Sequence, residues 1–125
     1  MILDTNTLSA IADGCEAVVE QIARARTLAV PVIVMGEYRF GFMQSRRKAD
    51  YERWLAEFLS SCRVLDVNAE TAMRYAELRG ELKIAGTPIP ANDAWIAALC
   101  RQHSLSILSQ DQHFDLVKGL HRRSW

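Results

Sequence analysis

The chain has 125 residues, half of them apolar, and its 15 basic and 15 acidic side chains cancel. That length predicts one domain, residues 1–125, with enough apolar residues for a sizeable core. Zero net charge excludes a long-range pull on nucleic acid while leaving room for a local basic patch, and no apolar run approaches the ~18–20 residues that span a membrane.

Met1 to Leu3 is a short apolar run that reads as a buried strand. Thr7 to Ala12 reads as a short helix ending at Asp13-Gly14, and Cys15 to Arg26 carries Ala17, Val18, Ile22 and Ala25 at helical spacing. Leu28 to Val34 is the clearest strand, rich in Val and Ile, although Pro31 inside it weakens its first half. Met35 to Gln44 and Arg46 to Ser60 read as helices. The second gathers Tyr51, Trp54, Leu55, Phe58 and Leu59 on one face, against Lys48, Arg53 and Glu57. Arg63 to Val67 is a short strand. Asn68 is placed to cap a helix over Ala69 to Ala85, with Gly86 closing it and Pro88 just beyond. Asn92 to His103 is helical, Leu105 to Ser109 is a strand, and His113 to Lys118 is a short helix stopped by Gly119, after which the last residues suit an edge strand. Strands that alternate with helices imply βαβ units, and continuous apolar strands imply a parallel sheet covered on both faces.

Four acids stand at the junctions of this pattern. They are Asp4 in Ile-Leu-Asp-Thr-Asn, Glu37 in Val-Ile-Val-Met-Gly-Glu, Asp93 in Pro-Ala-Asn-Asp-Ala-Trp and Asp111 in Ile-Leu-Ser-Gln-Asp. Each alone is a plausible helix cap or solvated acid. Together they repeat one placement. Open parallel sheets form their sites beyond the carboxyl ends of the strands, where strand order reverses. Asp4, Glu37 and Asp111 each follow a predicted strand and so belong to that edge. Asp93 belongs to the first turn of a helix, where free N–H groups stabilise an anion.

Gathered carboxylates repel, so the cluster calls for protons or a bound cation. Mg²⁺ and Mn²⁺ favour such oxygen donors. A cation of that kind lowers the pKa of a water and neutralises phosphoryl oxygens, which suits phosphodiester hydrolysis. Thr5, Asn6 and Ser109 are small polar neighbours able to orient a carboxylate, a water or a phosphate oxygen.

At these positions the sequence resembles the PIN-domain ribonucleases. Leu3-Asp4-Thr5-Asn6 resembles their opening motif and Gly36-Glu37 their second acid. Asn92-Asp93-Ala94-Trp95-Ile96-Ala97-Ala98 resembles the third, and Ser109-Gln110-Asp111-Gln112-His113-Phe114 the fourth. Gly119-Leu120 and Trp125 also look like the family's closing residues, and the size is that of the VapC-type toxins of bacterial toxin–antitoxin pairs. The resemblance covers essentially the whole chain. It implies a three-layer α/β/α domain with a central parallel sheet and Mg²⁺- or Mn²⁺-dependent endonucleolytic cleavage of RNA. It implies inhibition by a VapB-type antitoxin and a homodimer. Asp4, Glu37, Asp93 and Asp111 carry over as the acidic set, which holds one or two metals, with Ser109 in support.

Several other groups carry expectations. Arg39, Arg46, Arg47 and Lys48 are the densest positive group and are candidates for RNA phosphates; His121-Arg122-Arg123 is a second such cluster. Tyr38, Phe40, Phe42 and Met43 fall at several helical angles, so part of that helix should face a second copy or the antitoxin. His113 reads as a solvated or capping residue rather than a ligand, and Asp115 as an acid outside the cluster. Cys15, Cys62 and Cys100 match no zinc or redox spacing and read as free thiols of a cytoplasmic protein without a secretory leader. Two other classes compete. A haloacid dehalogenase-like phosphatase wants a second Asp where Asn6 stands. A non-catalytic RNA- or protein-binding PIN-like module would be expected to have lost acids.

Overall fold

The computed structural model describes residues 1–125. The elements in chain order are β1 (Ile2–Leu3), α1 (Thr5–Ala12), α2 (Glu16–Ala23), β2 (Ala29–Pro31), α3 (Val32–Phe42), α4 (Lys48–Leu59), β3 (Arg63–Leu65), α5 (Ala69–Ala85), α6 (Ala91–His103), β4 (Ile107–Leu108), a 3₁₀ turn over Gln112–Leu116 and β5 (Arg122–Arg123).

All five strands pair in parallel in the order β3-β2-β1-β4-β5. Chain order therefore reverses at β1, and the crevice opens where β1 meets β4, with Ile2 opposite Ile107 and Leu3 opposite Leu108. Successive strand residues point to opposite faces, and Ile2, Leu3, Ala29, Val30, Ile107 and Leu108 are all fully buried. Both faces of the central strands are thus covered by helices, which is the expected three-layer α/β/α arrangement. The outer strands close the sheet with charge: Arg63 on β3 and Arg123 on β5 are exposed.

Local chemistry sets the helix ends. Asn68 accepts from the Thr71 amide at 3.1 Å while Thr71 Oγ1 accepts from the Asn68 amide at 3.1 Å, a reciprocal cap on α5. Gly86 closes α5 at φ +71°, a conformation that costs glycine little.

The second predicted strand is shorter than its apolar run. Leu28–Val34 reads as one strand, but the ladder stops at Pro31, and Val32, Ile33 and Val34 form the first turn of α3. Proline lacks the N–H that would continue the ladder, and its fixed φ (−64° here) suits the residue before a helix. Burial of Val34 then outweighs the β preference of a Val-Ile-Val run. Glu37 accordingly lies in the second turn of α3 rather than just after a strand. The other bounds move by a few residues: α1 begins at Thr5, α2 ends at Ala23, α4 begins at Lys48, and β3 and β4 are shorter than predicted.

The aromatic helix divides as its angles require. Tyr38 and Phe42 are buried, whereas Phe40 is 78% and Met43 50% exposed. Cys100 is buried, Cys15 and Cys62 are half-buried, and all three thiols are free. No helix is long and apolar enough to cross a membrane.

Phe114, fully buried in the 3₁₀ turn, anchors the loop after β4 to the core. Phe114→Ala should cost about 3–5 kcal/mol, whereas Phe40→Ala should change stability by under about 0.5 kcal/mol. Urea midpoints at constant slope check both; equal effects would contradict this division of the aromatic residues.

Candidate functional site

Asp4 follows β1 and caps α1. Its Oδ1 accepts from the Thr5 amide at 2.8 Å, and its Oδ2 accepts from Ser109 Oγ at 2.6 Å and Asn6 Nδ2 at 3.1 Å. The side chain is thereby held between the ends of β1 and β4. Ser109 Oγ also accepts from the Asp111 amide at 2.9 Å, and Asn6 Oδ1 from the Gln110 amide at 3.2 Å. Asn6 and Ser109, two of the three small polar residues singled out in the sequence, thus act on the loops that carry Asp4 and Asp111. Thr5 faces the other way: its Oγ1 donates to Glu37 Oε1 at 3.2 Å and ties α3 to the crevice. The Thr7 hydroxyl donates to the Leu108 carbonyl, a further tie between α1 and β4.

Asp93 stands in the first turn of α6, behind the extended Pro90. Its carboxylate meets that of Asp111 across His113, whose Nδ1 lies 3.0 Å from Asp93 Oδ2 and 3.0 Å from Asp111 Oδ1. Both neighbours are acceptors, so Nδ1 carries the proton. The expectation that His113 is merely solvated or capping is corrected here. Asp111 does accept from the His113 amide at 2.9 Å, but the same short turn swings the imidazole back between the two acids. A histidine two residues after an acid in a tight turn was the available signal.

Electrostatics follow from this placement. Burial raises the Asp4 carboxyl above the ordinary Asp value, and its bonds from Ser109 and Thr5 oppose the rise. Burial likewise pushes Asp93 up to about 6; the His113 hydrogen bond opposes this, while the charges of Asp111 and Asp4 add to it. The hydrogen bond to Asp93 raises His113. The structure therefore brings Asp4, Asp93 and Asp111 into one electrostatic unit. Glu37 joins it only through Thr5, at the flank.

The donor set fits a divalent cation. Asp93 and Asp111 offer carboxylate oxygens and His113 a ring nitrogen, all within 4.8 Å of one another, and the imidazole would ligate only with that nitrogen deprotonated. The Asp93 carboxyl is raised first by burial and then by the charges of Asp111 and Asp4, so a cation beside it would favour its ionised form. Asp4 is less free: Oδ2 already accepts two bonds, which leaves Oδ1 or an intervening water for any ion.

The remaining candidates separate clearly. Asp115 binds Arg122 through two bonds of 2.8 and 2.9 Å and stays outside the crevice, as expected. Arg39 is paired with Glu52 at 3.2 Å, and Arg47 lies near Asp50 and over the Tyr51 ring. Arg46 and Lys48 are exposed and enter no ion pair.

Comparison with known proteins agrees with this architecture. The family model described as PIN domain matches residues 1–120. The chain is 29% identical over 107 residues to the protein named Ribonuclease VapC2 of Rickettsia felis, covering 85% of this chain and 80% of that protein. It is 31% identical over 87 residues to Ribonuclease VapC4 of Mycobacterium tuberculosis, covering 68% of this chain and 67% of that one. A crystal structure of VapBC2 from Rickettsia felis bound to a DNA fragment from its promoter contains a chain that superposes with a TM-score of 0.87 at 28% identity, covering 99% of this chain and 97% of its counterpart. With the match over nearly its full length and four acids at one end of a parallel sheet, the chain belongs to the PIN domain family, among the VapC ribonucleases.

Proposed function

We propose that residues 1–125 form one PIN domain that acts as a metal-dependent endoribonuclease, the toxin of a cytoplasmic toxin–antitoxin pair. One observation carries the reading: Asp93 and Asp111 converge on a single point beside the buried Asp4, at the strand-order reversal. Three acids crowded there suit a substrate that is itself an anion only when a cation is shared between them.

Asp93 and Asp111 would hold the ion directly, Asp4 through Oδ1 or a water, and Glu37 from the flank. When bound, Mg²⁺ or Mn²⁺ supplies charge neutralisation at the phosphoryl oxygens and a more acidic water. The protein's part is positioning. Ser109 and Asn6 fix the Asp4 carboxylate, and the Asp111 amide is fixed by the same Ser109 hydroxyl. Thr5 directs Glu37 toward the crevice, where it orients the attacking water. His113 bridges Asp93 and Asp111 with one ring nitrogen and would keep the two carboxylates oriented toward each other. Arg46 and Lys48, with Arg39 and Arg47 partly occupied by acids, offer phosphate contacts along the approach. The VapBC assemblies among the structural relatives support a VapB-type antitoxin as partner, and the exposed Phe40 and Met43 on α3 suit a contact with a second copy in a homodimer.

Asp93→Asn should lower metal-stimulated RNA cleavage by roughly 10²-fold or more, and Ser109→Ala by about 10–100-fold through misplacement of Asp4 and Asp111. Gel assays of a single-stranded RNA with Mg²⁺, Mn²⁺ or chelator test this. Full cleavage by the Asp93 variant would sink the assignment.

Stability gives a second readout. The folded-state value for Asp93 lies above its unfolded one, so its contribution is most favourable below about pH 4 and is lost as pH rises through about 6. In chelator at pH 8, Asp93→Asn should therefore be more stable than the wild type, by about 1–2 kcal/mol once solvent screening in the open crevice is allowed for. The gain should vanish near pH 4, and added Mg²⁺ should stabilise only the wild type. A variant less stable than wild type at pH 8 would contradict the crowding of charge at Asp93.

A further inference from the structure

Charge in this chain is sorted between the two edges of the sheet. The segments that leave the strands carry Asp4 after β1, Asp66 after β3 and Asp111 after β4. The segments that lead into β2, β3, β4 and β5 are residues 24–28, 60–62, 104–106 and 117–121, and they contain no acid. They carry Arg24, Arg26, Lys118 and His121 instead, and β3 opens on the exposed Arg63. A net charge of zero thus conceals an acidic edge and a basic one.

Two clefts of about 470 and 270 Å³ adjoin on the basic edge, where they share Leu105 and Ser106. Arg24, Arg26 and Arg123 line the smaller one. Arg74, Arg101, Lys118 and His121 line the larger, and no Asp or Glu lines either. The cations differ in freedom. Arg101 is held by Glu81 at 2.7 Å, and Arg74 lies near Glu70 and Glu77. Arg24, Arg26, Lys118 and Arg123 are exposed and enter no ion pair. A cation at a helix C-terminus offsets the helix dipole, which accounts for Arg24 at the end of α2. Arg26 and Arg123 lie outside the last turn of any helix.

The substrate gives these cations an occupant. The crevice presents Asp4, Glu37, Asp93 and Asp111 to a polyanion, and a divalent ion offsets only part of that charge. Affinity for RNA must come from cations further off, through release of the counterions condensed on its backbone. The route is short. Lys118 follows His113 along the 3₁₀ turn, whose rise of about 2 Å per residue puts the basic edge on the order of 10 Å from the crevice.

We propose that the basic edge of the sheet is a second RNA-binding surface, where Arg24, Arg26, Lys118 and Arg123 hold the backbone of substrate that extends past the 3₁₀ turn from the cut. The contacts are with phosphates, so the surface adds affinity and register without base preference. The proposal rests on the nuclease reading of the crevice, but its test does not require cleavage.

Affinity for a single-stranded RNA of roughly 20 nucleotides is measured in chelator across a range of salt. The wild type is compared with two variants of equal charge. Arg24→Gln/Arg26→Gln/Lys118→Gln removes three cations from the edge, and Arg53→Gln/Arg79→Gln/Lys83→Gln removes three from elsewhere. All six positions are exposed, so the fold should survive, and circular dichroism verifies that it does. The edge variant should bind at least roughly tenfold more weakly at low salt. Its slope of log affinity against log salt should fall by about 2, since each phosphate contact on a single strand contributes about 0.7. The other variant should keep the wild-type slope. Absence of RNA binding by the wild type, equal slopes for all three proteins, or equal losses in both variants overturns the proposal. An edge that meets an acidic protein instead would give one of the first two results. Edge-dependent binding in a wild type that cleaves no RNA with metal present would support the surface and overturn only the nuclease reading.

Discussion

The crevice is organised around one buried anion. Asp4 is 5% exposed, and an unpaired carboxylate there would be costly to keep charged. It is tolerated because donors from its own helix, from Asn6 and from the far side of the sheet at Ser109 all converge on it. The arrangement works in both directions. The donors offset part of the cost of charging the buried carboxyl, and the carboxyl holds the end of β1 against the end of β4. Since Ser109 also takes the Asp111 amide, the position of the next acid is set by the same hydrogen-bonded network.

Further out, compensation is incomplete. Burial raises the Asp93 carboxyl, the fields of Asp111 and Asp4 add to the rise, and the one hydrogen bond from His113 offsets only part of it. The crevice therefore grades from a satisfied anion at its floor to an unsatisfied one at its mouth. A ligand with positive charge has most to gain at the outer position, which is also the one that a polyanion would reach first. His113 completes this gradient. At 47% exposure it is the most accessible member of the group, and its proton is the compensation most easily exchanged with solvent.

Much of this was legible in the residues. The alternation of apolar runs and helical patterns leads to the parallel sheet that is found, because both arise from the same need to bury strands on two faces. Asp4, Asp93 and Asp111 could be brought together by topology alone, since each lies at an element boundary. Two things were less accessible. The apolar run around Pro31 has no periodicity that separates a strand from a buried helical turn, so the start of α3 and the true seat of Glu37 were hidden. The direction of the His113 ring depends on a 3₁₀ turn whose geometry is set by the burial of Phe114, a tertiary effect without a local pattern. The stacking of Tyr51 of α4 on Phe42 of α3 likewise depends on α4 folding back against α3, which no segment read alone discloses.

The direct passage from β2 into α3 has its own consequence. Pro31 is both the last ladder residue and the residue before the helix, so no loop separates them. Glu37 is therefore placed by rotational phase. Each residue of an α-helix turns the side chain by about 100°. Inserting or deleting a single residue between Pro31 and Glu37 would carry the carboxylate away from Thr5, whatever residue was chosen. This stretch can vary in composition, provided Val34 stays apolar, but not in length. Among related chains, insertions should gather in the turns after α2 and α3 and spare this junction.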